Sequence, residues 1–255
     1  MMNTLNSPRR IAPLSTQNLA VDQKQTAPAY TALAYTAPKY TAPLNDPLTL
    51  VGRFSKQASN EPIQCIDTNH ILRSQTEDFI KGVFKQHYNA QVSSFLPQLF
   101  AISDEKGDTK SVLGVRNAQC ESLYLERYLD QPIDTLIEQT VQQPVSRMQV
   151  VEIGNLASLN SANCKALFSF ITQHLQDQNI KWITCTGTSV LRLVFRRLSI
   201  KALPIHQADQ NLLGDEQYEW GSYYDNDPQV MLINVQETNQ HFIDVAKARD
   251  RANSH

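Results

Sequence analysis

The stretch VVEIGNLASLNSANCKALFSFI, residues 150–171, changes its periodicity midway. Val150–Ala157 alternates as a strand, and Leu159–Asn163 is a short polar loop. From Cys164 the pattern is helical, with Leu167, Phe170, Ile171 and Leu175 on one apolar stripe. A strand entering a helix through a polar loop is a common anion site, because a helix start presents unpaired N–H groups. It is equally a common corner. The neighbouring segments decide which.

Towards the C-terminus, Asn179 ends that helix and IKWITCTG (180–187) reads as a buried strand. Thr188 or Ser189 caps a helix over VLRLVFRRL, followed by strands at IKALPI and QVMLINV. Towards the N-terminus, RSQTEDFIKGVFKQHY (73–88) is a helix, with Ser74 and Glu77 as a capping box and Phe79, Ile80, Val83, Phe84, His87 and Tyr88 on one face. IQCID is a short strand before it. FLPQLFAIS and SVLGVRNA form a hairpin turning near Gly107–Asp108, with Pro97 marking an irregular or edge start. LYLERYLDQPIDTLIEQ carries Pro132 at a first helical position. Helix and strand alternate in the second half, so the class is α/β, shading into α+β, around one mixed sheet.

Three regions are expected. Residues 1–60 read as a disordered tail, in which TAPAYTALAYTAPKYTAPL repeats a TAPxY unit and prolines 28, 38 and 43 block helix and central strand. Residues 61–236 read as the folded domain and 237–255 as a charged tail with some helical potential. The 23 basic and 25 acidic residues of the 255 nearly balance, which gives no sign of nucleic-acid binding. Cys65, Cys120, Cys164 and Cys185 stand far apart without a CxxC pair, so no zinc framework is expected. No apolar run approaches the roughly 20 residues of a membrane span. Arg9 and Arg10 have no apolar stretch behind them, so a secretory signal is not expected and the cytoplasm is the default. Peripheral membrane contact stays open.

No GxSxG, HExxH, Walker or GxGxxG pattern is present. The order of elements resembles the GNAT acyltransferase fold, a mixed twisted sheet flanked by helices. FRRLSI (195–200) is similar to the end of that fold's fourth helix, with Ser199 where glycine is usual. FIKGVFKQHYNAQVSSFLPQLFAI, LYLERYLDQPID, VVEIGNLAS, CTGTSVLRLVFRRLSI and WGSYYDNDPQVM, taken in order, resemble the thermostable hemolysin family over roughly Arg73 to Asn234. That family's pattern is in turn similar to acyl-homoserine-lactone synthases and long-chain N-acyl amino acid synthases.

The resemblance implies transfer of an acyl group from a thioester to an amine, with acyl carrier protein or coenzyme A as donor and no permanently bound cofactor or metal. A membrane-lytic toxin, as the family name suggests, and a non-catalytic acyl- or pantetheine-binding module are the alternatives. Amide formation needs a base for the amine proton and donors for the oxyanion. Glu152 is the candidate base, against a plain salt bridge to Arg147 or Arg116. Asn155 is a candidate orienting group or a loop-closing hydrogen bond. Tyr223 is a candidate proton donor to the thiolate. Gly154, at a bulge or a close approach, and Leu156 belong to the strand along which a pantetheine arm would lie.

Ser161 and Asn163 at the helix start are candidates for a single phosphate, since LNSANC lacks the glycines that a pyrophosphate cradle uses. Arg192 and Arg196, i and i+4, with Arg197 and Lys165, form either a docking face for an acidic carrier or a solvated basic face. Arg116 could hold an acceptor carboxylate. Glu126 and Tyr128 stand where related synthases shape the acceptor pocket, and Thr186 lies in the TGTS turn. Cys164 reads as a buried structural residue.

Overall fold

Alternating apolar strands that leave helices between them must bury two faces of one sheet, and the chain does so. The computed structural model describes residues 62–253; the TAPxY repeats lie outside the described residues. Among the described residues the elements run β1 (Ile63–Ile66), α1 (Arg73–Tyr88), β2 (Gln98–Ser103), β3 (Thr109–Asn117), α2 (Ile133–Val141), β4 (Val150–Ser158), α3 (Ser161–Asp177), β5 (Trp182–Gly187), α4 (Ser189–Arg197), β6 (Ala202–Gln207), β7 (Gln229–Asn234) and α5 (Val235–Asn253). The seven strands form one sheet in the order β1-β2-β3-β4-β5-β7-β6. Only β4 and β5 are parallel; every other neighbouring pair is antiparallel. This is the mixed, helix-flanked sheet expected from the GNAT-like order of elements.

Alternation along the strands sorts three cores. Val151 and Ile153 of β4 and Ile183 and Cys185 of β5 pack against Phe168, Ile171 and Phe195 of α3 and α4. On the opposite face Phe79, Ile80, Val83 and Phe84 of α1 meet Leu99, Ala101, Val112 and Ala157. Leu125, Tyr128, Ile133 and Ile137 cover Val150, Trp182, Val230 and Leu232. Each fully buried Val, Leu, Ile or Phe among them contributes about 1.5–3 kcal/mol.

Several local readings change. Ser74 and Glu77 make no capping box: α1 begins at Arg73 after Leu72, which offers no side-chain cap. Glu77 instead accepts from Arg73 Nε at 2.6 Å, while the same guanidinium donates to the Leu96 and Pro97 carbonyls. Pro132 stands one residue before α2. α3 starts at Ser161, three residues before Cys164, with the Asn160 carboxamide accepting from Asn163 N at 2.7 Å. The stretch from Glu237 is no loose tail. α5 runs nineteen residues, buries Val235, Thr238, Asn239 and Phe242, and donates from Asn239 to Gln173 and Gln176 of α3.

Other signals hold. Thr188 caps α4 by accepting from Leu191 N. Asn179 adopts a positive φ of 60° beyond α3. Ser199 does the same at 56°, with Ser199 N donating to Arg196 O and Ile200 N to Phe195 O. That left-handed helix stop is where glycine is the easiest residue, which explains why Ser199 looked out of pattern. Among the described residues no helix is long and apolar enough to cross a membrane.

One irregularity of the sheet lies where β4 leaves β5. Between β3 and β4 the pairing runs Val112↔Ala157 and then Gly114↔Gly154, so β4 carries one extra residue there. Asn155, at φ 50°, is in the left-handed region that asparagine tolerates better than most residues. A bulge of this kind bends the strand that holds it. Correspondingly, β4 pairs with β5 only over Val150–Glu152 with Trp182–Thr184, and the two strands part beyond that point.

Candidate active site

Glu152 is the last β4 residue paired with β5, and its side chain is buried at the apex where the strands separate. Only 4% of the residue is exposed. Its two carboxylate oxygens accept from Tyr124 N at 2.8 Å and Leu125 N at 3.0 Å, which ties the 3-10 turn Tyr124–Tyr128 to the sheet. Burial pushes its carboxyl up to about 7, against the two backbone donors and the Arg116 charge, which pull downward. It makes no salt bridge with Arg147. A buried carboxylate that titrates near neutrality, with a lone pair left on each oxygen, can hold or release a proton at working pH.

Beyond Glu152 the parted strands enclose a cavity of about 110 Å³. Ile153, Gly154, Asn155 and Leu156 line it from β4, and Cys185 and Thr186 from β5. The backbone groups of this part of β4 that face β5 lack a ladder partner, because the pairing has stopped. The Asn155 side chain accepts from Leu96 N at 2.8 Å and donates to Ser94 O at 3.1 Å, so it fastens the 94–96 segment as one wall. Asn155 therefore carries both the bulge and the loop-closing contact. Gly154 is not the bulged residue; a Cβ there would lie 3.0 Å from Leu96, so its smallness admits that wall.

Tyr128 and Tyr223 also line the cavity. The Tyr223 hydroxyl donates to Thr186 O at 3.1 Å, and burial raises its pKa well above the ordinary tyrosine range. That hydroxyl is committed to the backbone and poorly placed to give a proton to a thiolate. Tyr128 and Tyr224 share a hydroxyl contact of 2.5 Å.

The structure adds wall residues that the sequence reading passed over: Phe84, Tyr88, Leu96, Tyr124 and Trp220. Trp220 and Tyr223 come from the long connection between β6 and β7. That connection is held on α1 by Ser222 N to Tyr88 O and on the 124–128 turn by Trp220 Nε1 to Tyr124 OH. The aromatic density of LYLERY and EWGSYY was the available signal.

A second, open and polar cleft adjoins the cavity and shares Ser94 and Tyr124 with it. Arg116, the cross-strand partner of Glu152, lines this cleft with Glu126, Arg127 and Arg147. Arg116 Nε is buried without a hydrogen bond; Glu121 lies 3.3 Å away, as an ion pair outside hydrogen-bonding geometry. Glu126, expected at the substrate, is a bracket instead. It accepts from Leu123 N, Ile133 N and both terminal nitrogens of Arg147. Burial pushes its carboxyl up, but Arg147 and the two backbone donors outweigh this and hold it below the usual range. Glu126→Ala would strand those donors and should cost about 3 kcal/mol in denaturant unfolding, with Glu126→Gln losing less. Equal losses for the two variants would contradict the bracket.

Four other candidates lie apart from the cavity. Ser161 and Asn163 are buried at the start of α3, whose first turn is already capped by Asn160. Arg192 is tied to Asp227 at 2.6 Å and to the Gly187 and Asp227 carbonyls, so it is not an open docking cation. Arg196 is exposed on α4. Cys164 is buried and its thiol is pushed up to about 12, in keeping with a structural role. Among the described residues no group of three or more His, Cys, Asp and Glu could hold a metal ion.

A mixed sheet whose one parallel pair opens around a buried carboxylate defines a GNAT-like α/β protein. Within that class, the chain belongs to the thermostable hemolysin family, whose model matches residues 66–239. No curated protein matches it. Among solved structures it is similar to the acyl-homoserine-lactone synthase LasI, at 11% identity over 70% of this chain and 91% of that one, with a TM-score of 0.49. It is similar also to FeeM, an N-acyl amino acid synthase from uncultured soil microbes, at 11% identity over 70% and 98%, TM-score 0.48. Tetrahymena GCN5 aligns at 10% identity over 68% and 96%, TM-score 0.39.

Proposed function

We propose that this protein is an N-acyltransferase that moves a fatty acyl group from a thioester to an amine such as an amino acid. The observation that carries the reading is the position of Glu152, a buried carboxyl of near-neutral acidity at the apex of the gap between β4 and β5. A pantetheine arm is an extended chain of amides, suited to the unpaired edge of β4 as an added strand would be. The amine lone pair attacks the thioester carbonyl carbon, forming C–N as C–S breaks. Glu152 takes the amine proton and passes it to the departing thiolate, so amide and free thiol balance the substrates. Free β4 N–H groups beside the carbonyl are the candidate oxyanion donors.

Arg116 suits an acceptor carboxylate. It faces the same side of the sheet as Glu152 on the neighbouring strand, at a cross-strand spacing of about 5 Å, and its Nε lacks a hydrogen-bond partner. Acyl carrier protein is the favoured donor over acyl-CoA, because the first turn of α3 is filled by its own side chains and has no glycine-rich cradle. Exposed Arg196 and Lys165 are the basic groups open to an acidic carrier. The site of action that follows is the cytoplasm, where both donors are made.

The test is incubation of the full chain with acyl carrier protein or CoA thioesters and mixed amino acids. Free thiol and an N-acyl product by mass spectrometry are expected, with faster turnover on the carrier. Folded protein that yields neither with any donor and amine would sink the reading. Family membership favours one further point: an N-acylated amino acid is a surfactant, so lysis would follow from the product. Lipid-free protein that lyses red cells at once would instead make the chain itself the lytic agent.

A further inference from the structure

The cavity does not stop at the sheet. Side chains alternate between faces along a strand. Glu152 and Thr186 line it from the face covered by α1 and the aromatic turns, whereas Ile153 and Cys185 line it from the face covered by α3 and α4. A cavity that touches both sets passes through the gap between β4 and β5. Its near side carries the Glu152 carboxylate and the hydroxyls of Tyr124 and Tyr128. Its far side is hydrocarbon, aromatic ring and one buried thiol, formed by Ile153, Leu191, Phe168, Phe195 and Cys185. Phe168 and Phe195 meet edge to face, with centroids 5.3 Å apart, and each is 1% exposed, so that end is closed to water. The Cys185 thiol is pushed up to about 12 by burial, which leaves it a packing group with no nucleophilic role.

We infer that the far half is a binding site for a straight alkyl chain and that Phe168 and Phe195 act as its end-stop, setting the longest acyl group accepted. The alkyl assignment follows from the lining: a site without a charge or an unpaired polar atom at its closed end favours a ligand that brings none. Assigning that chain to an acyl donor rests on the transfer reading given above. Entry from the Glu152 side leaves the carbonyl at the gap and the methyl end against the two rings. Beyond the length that reaches Phe168 and Phe195, each further methylene costs about tenfold or more in kcat/KM.

The experiment uses the full chain and two ladders of straight chains from four to fourteen carbons. One ladder is free fatty acids, read as thermal stabilisation; the other is acyl thioesters, read as N-acyl product. Phe195→Ala and the milder Phe195→Leu enlarge the far end, and Leu191→Trp, on a half-exposed position, fills it. Both Phe195 variants should move the optimum up by about two carbons or more, regaining the tenfold lost per excess methylene; Leu191→Trp should move it down. Phe195→Leu keeps the test alive if Phe195→Ala does not fold. Shifts in the fatty-acid ladder without any transfer would support the alkyl site and sink the transferase reading. Transfer with length profiles unchanged in every folded variant would overturn the end-stop and leave the transferase reading standing, and stabilisation by no fatty acid at all would overturn the alkyl site.

Discussion

Glu152→Gln is expected to lower acyl transfer about 10²- to 10⁴-fold, the usual contribution of a positioned general base, while the chain still folds. Glutamine matches the shape of glutamate and keeps one oxygen for Tyr124 N or Leu125 N, but its amide must face the other donor. That mismatch should cost about 1–3 kcal/mol. The pH dependence separates a base from a mere anchor. Transfer requires the ionised form, so wild-type rates should rise with pH through a midpoint about 7. Stability should move the other way. The folded state holds its proton up to about 7 and the unfolded chain only up to an ordinary 4.5, so the fold binds the extra proton between those values. The resulting stabilisation is full below pH 4.5, is lost as pH rises to 7, and amounts to on the order of 3 kcal/mol. Glu152→Gln removes this slope. A variant within tenfold of wild-type rate would end the base assignment, and matching stability slopes in the two proteins would show that Glu152 titrates normally.

What the sequence disclosed was whatever is local. The change from period 2 to 3.6 across Val150–Ile171 locates β4 and α3, and Thr188 and Asn179 mark helix ends by their own side chains. Glu152 stands out as the acid on the strand that the GNAT-like resemblance sets beside the thioester, with a salt bridge to Arg147 or Arg116 as its alternative. Long-range partners were not legible. Asn155 bulges because Leu96, 59 residues earlier, supplies its N–H. Glu126 reads as a pocket residue until Arg147 and Ile133 are brought to it. α5 has a sparse apolar stripe, and Phe242 is decisive only once it is packed. The aromatic walls needed the fold as well, since Phe84, Tyr124 and Trp220 come from three distant segments.

Gly221→Ala is expected to be the costliest of the small substitutions, and Gly214→Ala, in the same β6–β7 connection, is its matched control. Both glycines occupy nearly the same backbone region, Gly221 at φ 51°, ψ −124° and Gly214 at φ 59°, ψ −133°. Alanine in that region is strained at either site by about 1–3 kcal/mol. Their surroundings differ. A Cβ on Gly214 would meet nothing within 4 Å, whereas one on Gly221 would fall 2.1 Å from Tyr88 O and 2.9 Å from Asn89 C. Those atoms are backbone at the end of α1 and cannot turn aside as a side chain would. Relief requires the connection to lift, breaking Ser222 N to Tyr88 O and Gln91 N to Glu219 O. The total for Gly221→Ala is then about 4–5 kcal/mol, a large part of the ~5–15 kcal/mol that holds a typical domain. Because Trp220 and Tyr223 ride on the lifted segment, the cavity wall beside Thr186 should loosen too. Substrate affinity should fall in whatever fraction stays folded, while Gly214→Ala retains wild-type KM. Chemical denaturation of the two variants decides the matter: if Gly221→Ala loses no more stability than Gly214→Ala, then backbone strain alone acts at both sites and the close approach to α1 holds nothing in place.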